Sequence, residues 1–152
     1  MKSNAIEKLL WSIAFPGFGQ ILNGKYIKGI LFCFLELFVN VQSRFNEAII
    51  LSFNGHFEKA IQQTNYQWLM FYPCLYFFSM WDAYKDAKED DPPFLFLPFV
   101  MAAYFVTLGL IYSPRIKIFG VIIGPVLLPM LFLVPGLIIG IVLRKILIAR
   151  FI

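Results

Sequence analysis

Residues 66–84 read YQWLMFYPCLYFFSMWDAY, with Tyr66 and Trp68 at one edge, Trp81 and Tyr84 at the other, and Asp82 as the only charged residue. As an α-helix the stretch is about 27 Å long at about 1.5 Å per residue, close to the ~30 Å thickness of a bilayer's hydrocarbon. Tyr and Trp at both edges of such a segment mark the two membrane–water interfaces, where each ring keeps its body in apolar surroundings and its polar tip wet. The stretch predicts a membrane-crossing helix.

Four more apolar stretches surround it. Downstream, Phe94 to Tyr112 follows the breaker Pro92-Pro93, and Ile118 to Leu143 runs for twenty-six residues with Pro125, Pro129 and Pro135. As one helix the latter is about 39 Å long, so it tilts, kinks or folds back on itself. Upstream, Ile27 to Asn40 is short and holds Glu36, with Lys25 and Lys28 placed to snorkel. Leu9 to Leu22 has fourteen residues and is broken at Pro16-Gly17, so it lies at the interface, dips in as a re-entrant element, or crosses with the help of Ile6. Between the second and third stretches, Phe45, Ile49, Phe53, Phe57 and Ile61 recur every fourth residue, interrupted at Asn54-Gly55. That spacing predicts two short amphipathic helices hinged at the Asn-Gly pair and resting on the interface.

The expected fold is all-α. It is a polytopic helical membrane protein with four transmembrane helices, a short N-terminal interfacial or re-entrant helix and an amphipathic connector, in a single integral membrane domain over residues 1–152.

Composition agrees. Apolar residues make up 60% of the chain and charged residues 14%, an excess that a soluble domain of this size would have to expose. The net charge of +4 does not point to nucleic acid, because the basic residues form pairs between apolar runs rather than a stripe. Cys33 and Cys74 lie within apolar runs, and His56 lacks partners for a zinc site, so no metal or cofactor is expected. The segment Lys85 to Asp91 collects Asp86, Glu89, Asp90 and Asp91 beside two lysines and reads as a solvated connector.

Counting Lys and Arg sets the expected sidedness. With four crossings, Lys2, Lys8, Lys25, Lys28, Lys85, Lys88, Arg144, Lys145 and Arg150 share the cytoplasmic side, nine in all, against Arg44, Lys59, Arg115 and Lys117 outside. Five crossings give six against seven, so the positive-inside bias favours four, with both termini cytoplasmic. A rival with six crossings, in which the last stretch is a hairpin, also gives nine against four.

The most distinctive cluster is Pro16-Gly17-Phe18-Gly19-Gln20, followed by Asn23-Gly24-Lys25-Tyr26 and Lys28-Gly29. One proline and four glycines in so short a run predict a tight turn where backbones approach closely. Together with Trp81-Asp82-Ala83-Tyr84-Lys85-Asp86-Ala87, this cluster resembles the TM2-domain proteins and their bacterial relatives over about residues 9–87, leaving 94–152 as a C-terminal helical pair. Those proteins carry a Pro-Gly-x-Gly-Gln element that closes a membrane-crossing helix, a Gly-containing turn, and an Asp at the close of a later helix. Leu22 stands where that family often has Tyr, and Ser43 to Asn65 lengthens a connection that is usually short. The resemblance implies a bacterial cell membrane and no established reaction.

Gly120-xxx-Gly124 and Gly136-xxx-Gly140 have the one-turn spacing of small residues that lets membrane helices pack closely. Glu36 lies near mid-depth, level with Tyr72, Tyr76 and Tyr104 and with Pro73, which as an interior helix residue frees the Leu69 carbonyl; it is the expected polar anchor of the bundle. No nucleophile elbow, His-containing triad or phosphate loop is present, so an enzyme is not expected. The expected role is a non-catalytic scaffold, regulator or accessory subunit acting by helix packing on itself or on a membrane partner, with lipid as its surroundings. The alternative is a small oligomeric translocator of ions or solutes.

Overall fold

The structure is a computed structural model and describes residues 2–90 and 92–151; Asp91, which closes the acidic connector, lies outside the described residues. The fold is all-α apart from one small hairpin. In chain order the helices are α1 (Lys2–Ala14), α2 (Phe18–Leu22), α3 (Tyr26–Ser43), α4 (Phe45–Phe53), α5 (Phe57–Gln63), α6 (Tyr66–Leu69), α7 (Tyr72–Asp86), α8 (Leu97–Tyr112) and α9 (Gly124–Phe151). Two of them, α3 and α9, are long and apolar enough to cross a membrane; α8 is apolar but has 16 residues.

The N-terminal stretch goes in and comes back. Along α1, Asn4 to Ile6 lie beside Tyr84 and Ala87, whereas the Ile13 carbonyl accepts a hydrogen bond from Tyr76, so α1 runs antiparallel to α7. The chain reverses at Pro16-Gly17, and α2 returns until Asn23 reaches the Ala83 carbonyl. Gly17 adopts φ 106, and a Cβ there would collide with the Gly29 carbonyl and Cys33, so both the turn and the close approach require glycine. The stretch is therefore a helical hairpin.

The connector forms two helices, α4 and α5, hinged at Asn54-Gly55. Both pack on α9. At this end of the bundle the Asn65 N–H donates to the Ser43 carbonyl and Tyr66 meets Ser113 at 2.9 Å. The expected third helix is divided at Met70-Phe71 into α6 and α7. Pro73 then falls at the second position of α7, where its missing N–H is no loss, so it does not interrupt a helix beside Leu69 as expected. The same device opens α8 at Pro98 and α9 at Pro125.

The last stretch resolves one open alternative and departs from expectation at its start. It is one helix with Pro129 and Pro135 inside it, so the fold-back of the six-crossing rival does not occur. Its start is also displaced: Lys117–Ile118 and Val121–Ile122 pair as an antiparallel hairpin, with Phe119 at φ 49 and Gly120 at φ 83 in the turn. The β-branched run Ile116, Ile118, Val121, Ile122 and Ile123 favours extended backbone, and two successive positive φ values suit a tight hairpin turn. Gly120 is therefore not on a helix, and a Cβ there would meet nothing. Gly124 is the first residue of α9 and faces Phe57 and Ile61 of α5. The pair Gly120 and Gly124 is thus not a helix-packing motif.

Gly136 and Gly140 lie directly against α8. A Cβ on Gly136 would come within 2.8 Å of the Met101 carbonyl, and one on Gly140 within 2.6 Å of Pro98 Cα. Further along, a Cβ on Gly109 of α8 would come within 2.6 Å of Pro129 Cα. These three contacts hold one antiparallel register along the α8–α9 pair. Gly136→Leu or Gly140→Leu should lower the midpoint of detergent-induced unfolding sharply, because a bulky side chain separates the two backbones. Gly120→Asn, which suits a left-handed turn with open space around it, should stay within about 0.5 kcal/mol of the parent.

Candidate functional site

Asp82 is bonded through both of its carboxylate oxygens. It sits in the penultimate turn of α7, and its side chain is 11% exposed. Lys28 Nζ in the first turn of α3 donates to Asp82 Oδ1 at 2.6 Å and to Asp86 Oδ2 at 3.0 Å. Asp82 and Asp86 are four residues apart and so share one face of α7. Gln20 Nε2 in α2 donates to Asp82 Oδ2 at 3.0 Å and to the Ser79 carbonyl at 2.8 Å. With Asn23 Nδ2 on the Ala83 carbonyl at 2.8 Å, α2, α3 and α7 are joined at one point. Gln20 is fully buried, which no unpaired amide donor tolerates at small cost.

The glycines expected in the site serve this junction. Gly19 admits Ser12, the Lys8 carbonyl and the Ala83 methyl, so α1, α2 and α7 touch there. Gly29 lets α3 approach Ile21 and the Gly17 carbonyl, and Pro16 is fully buried in the turn. Gly24, at φ 74 with open space around it, turns the chain from α2 into α3. Trp81, although next to Asp82, is on the other face of α7, where it stacks with Phe78 and lies 5.3 Å from Lys85 Nζ.

Glu36 forms a second, deeper site. It is 4% exposed, and Tyr72 OH donates to its Oε1 at 3.0 Å. The other two tyrosines expected at its depth do not bond to it. Tyr76 OH donates to the Ile13 carbonyl at 2.6 Å, fastening the tip of the α1–α2 hairpin, and Tyr104 is exposed on α8. Equal depth does not place residues on facing sides of their helices.

Sequence reasoning singled out Gln20 and Asp82 but not their cationic partner. By sequence, Lys28 reads as a snorkelling lysine and Asp86 as part of a solvated connector. The signal was the i, i+4 pair of aspartates at the end of an apolar helix, a cation-binding face that needs a partner. Among the described residues, no group of three His, Cys, Asp or Glu side chains is arranged to hold a metal. The chemistry this arrangement supports is therefore fastening: short, charge-assisted hydrogen bonds between segments distant in sequence.

In a double-mutant cycle, Lys28→Met and Asp82→Asn should couple by about 1–3 kcal/mol, whereas Lys28→Met and the more exposed Asp86→Asn should couple by less than about 1 kcal/mol. The readout is unfolding of the purified chain in mixed detergent. At the deeper site, Glu36→Gln keeps an acceptor for Tyr72 and should retain parental stability, while Glu36→Leu should lose about 1 kcal/mol. A Glu36→Leu variant as stable as the parent would remove the anchor role. No protein-family model, curated protein or solved structure matches this chain.

Proposed function

We propose that this chain is a multi-pass membrane protein that acts by helix packing, as a scaffold, regulator or accessory subunit, and that it does no chemistry of its own. One observation carries the reading: large apolar faces lie outside while several polar side chains are buried within. Ile27, Ile30, Phe34, Leu37 and Val41 along α3 are exposed, as are Met130, Leu131, Val134 and Ile138 along α9. Gln20, Glu36, Ser43, Ser79, Asp82 and Ser113 are buried. A soluble protein does not leave such apolar faces open, and lipid covers them without further assumption.

The four crossings are α3, the α6–α7 pair, α8 and α9, with α1–α2 as a re-entrant hairpin. Their two ends carry the charge asymmetry of a cytoplasmic membrane protein. At one end Lys28 meets Asp82, Lys88 lies over Tyr84, and Arg144 donates to the Pro93 carbonyl. At the opposite end are Arg44, Lys59, Arg115 and Lys117. The Lys-rich end is the cytoplasmic one on the positive-inside rule, and a bacterial cytoplasmic membrane is the proposed location. The proposed kinship with the TM2-domain proteins is supported by the bond between Gln20 and Asp82, which joins the two motifs that carry the resemblance. Packing is favoured over translocation because each buried carboxylate ties helices together, Asp82 through both oxygens and Glu36 through one.

Sidedness is directly measurable. In a background without Cys33 and Cys74, His56→Cys and Lys117→Cys should react with an impermeant maleimide on intact cells, and Asp90→Cys only after lysis. Proteoliposomes holding the purified chain should pass ions no faster than empty vesicles. Reversed labelling would overturn the topology, and a flux abolished by Glu36→Gln would replace packing with translocation.

A further inference from the structure

Between the tip of the re-entrant hairpin and the hinged connector, the bundle leaves a half-open cavity of about 370 Å³. Ile13 and Ala14 at the end of α1 form its floor, and Phe45, Ile49 and Phe53 of α4 form its roof. α7, α8 and α9 supply the back wall, including Tyr72, Tyr76, Val106 and Leu133. The cavity exists because α1 stops at the Pro16-Gly17 turn and α4 at the Asn54-Gly55 hinge. Neither runs the length of the bundle, and among the described residues nothing fills the interval between them.

Its chemistry is one-sided. Only two side chains in the lining bear polar groups, and both are engaged elsewhere: the Tyr72 hydroxyl donates to Glu36 and the Tyr76 hydroxyl to the Ile13 carbonyl. The donor hydrogens of both hydroxyls are taken, so an ion, a sugar or a headgroup would find few hydrogen-bond partners there, an unfavourable exchange for a polar group leaving water. Water has the same difficulty, since a buried water needs polar partners. The volume falls within the ~300–1,000 Å³ range of ligand-binding pockets. The rim is continuous with the lipid-facing surface, because Ile13, Phe53 and Met130 line the cavity and are also exposed.

We infer that this cavity is a binding site for a hydrocarbon chain, occupied by an acyl tail of a bilayer phospholipid that enters sideways between α1 and α4. The inference rests on the membrane reading above. Each methylene withdrawn into such a site contributes about as much as burial in any apolar interior, which a preformed cavity collects without reorganising the helices.

The test uses the full chain in phosphatidylcholine vesicles containing a phosphatidylcholine with a diazirine near the end of one acyl chain. After irradiation, adducts are mapped by peptide mass spectrometry. Adducts are expected on inward residues such as Tyr76 and Leu133 as well as on the outward Ile138. In Val106→Phe and Ile49→Phe, each of which narrows the cavity, the inward adducts should fall about tenfold or more, the scale on which an overpacked site loses a ligand. The Ile138 adducts and the elution volume in detergent should not change. Adducts confined to outward residues would overturn the site while leaving the membrane reading intact. So would inward labelling that persists in a folded narrowed variant, or a doubled particle mass with unlabelled cavity residues. A chain released by alkaline carbonate and labelled nowhere would overturn the membrane reading and the site with it.

Discussion

The carboxylate of Asp82 is the point on which the N-terminal half depends. The five-residue arm α2 is too short to hold its place alone, since a helix of that length is marginal without tertiary contacts. Here the returning arm is held from outside. Gln20 and Lys28 approach the two oxygens of one carboxylate from two different elements, and Asn23 adds a bond to the α7 backbone one residue further on. The geometry demands small residues at every crossing, which is why Gly17, Gly19 and Gly29 accompany Gln20. Polar bonding and glycine placement are two halves of one solution: the bonds draw the backbones together, and the glycines let them arrive.

The C-terminal half is assembled by different physics. Among the described residues no charge lies between α8 and α9, which meet through Gly109, Gly136 and Gly140 against Pro129, Ala102 and Pro98. With no charge pair to draw them together, the two helices depend on how well their surfaces fit. What remains is dispersion between surfaces that fit, and its strength depends on how closely the backbones approach. Proline and glycine, weak residues in soluble helices, present flat and narrow surfaces that suit this purpose. Pro129 has no N–H to donate to the backbone, yet it is also the residue that Gly109 accommodates.

Legibility in the sequence followed from how local the governing physics was. The apolar stretches, the break at Pro16-Gly17 and the hinge at Asn54-Gly55 are written in neighbouring residues, and each has its counterpart in the fold. Sidedness of a residue within its helix is not local. Tyr104 shares the depth of Glu36 and faces away, while Tyr72 faces it, and only the packed rotation of α7 and α8 separates the two cases. Gly120 and Gly124 mislead for a related reason: one-turn spacing has meaning only where a helix exists, and the β-branched residues around Gly120 carry the chain into a hairpin first. Lys28 escaped notice because a lysine at the edge of an apolar run has an adequate explanation in solvent, and its bond to a residue 54 positions away leaves no mark in its neighbours.

The two assembly modes meet at the cavity, and their difference explains why it persists. The polar fastening fixes where α1 ends, through Tyr76 on the Ile13 carbonyl, and the close α8–α9 contact fixes the wall opposite. Neither can shift to fill the interval. Moving α1 inward would strip the carbonyl of its partner, and moving α8 toward it would part the glycine contacts. In water such a void would be left empty, at a loss that grows with its volume. In a membrane the surrounding solvent is itself made of chains of suitable width, and a rigid opening between two half-length helices is relieved by what already lies beside it. The same rigidity that forbids collapse therefore preorganises the space for an apolar occupant, so the void is a consequence of the fold's two fastenings and not a defect in its packing.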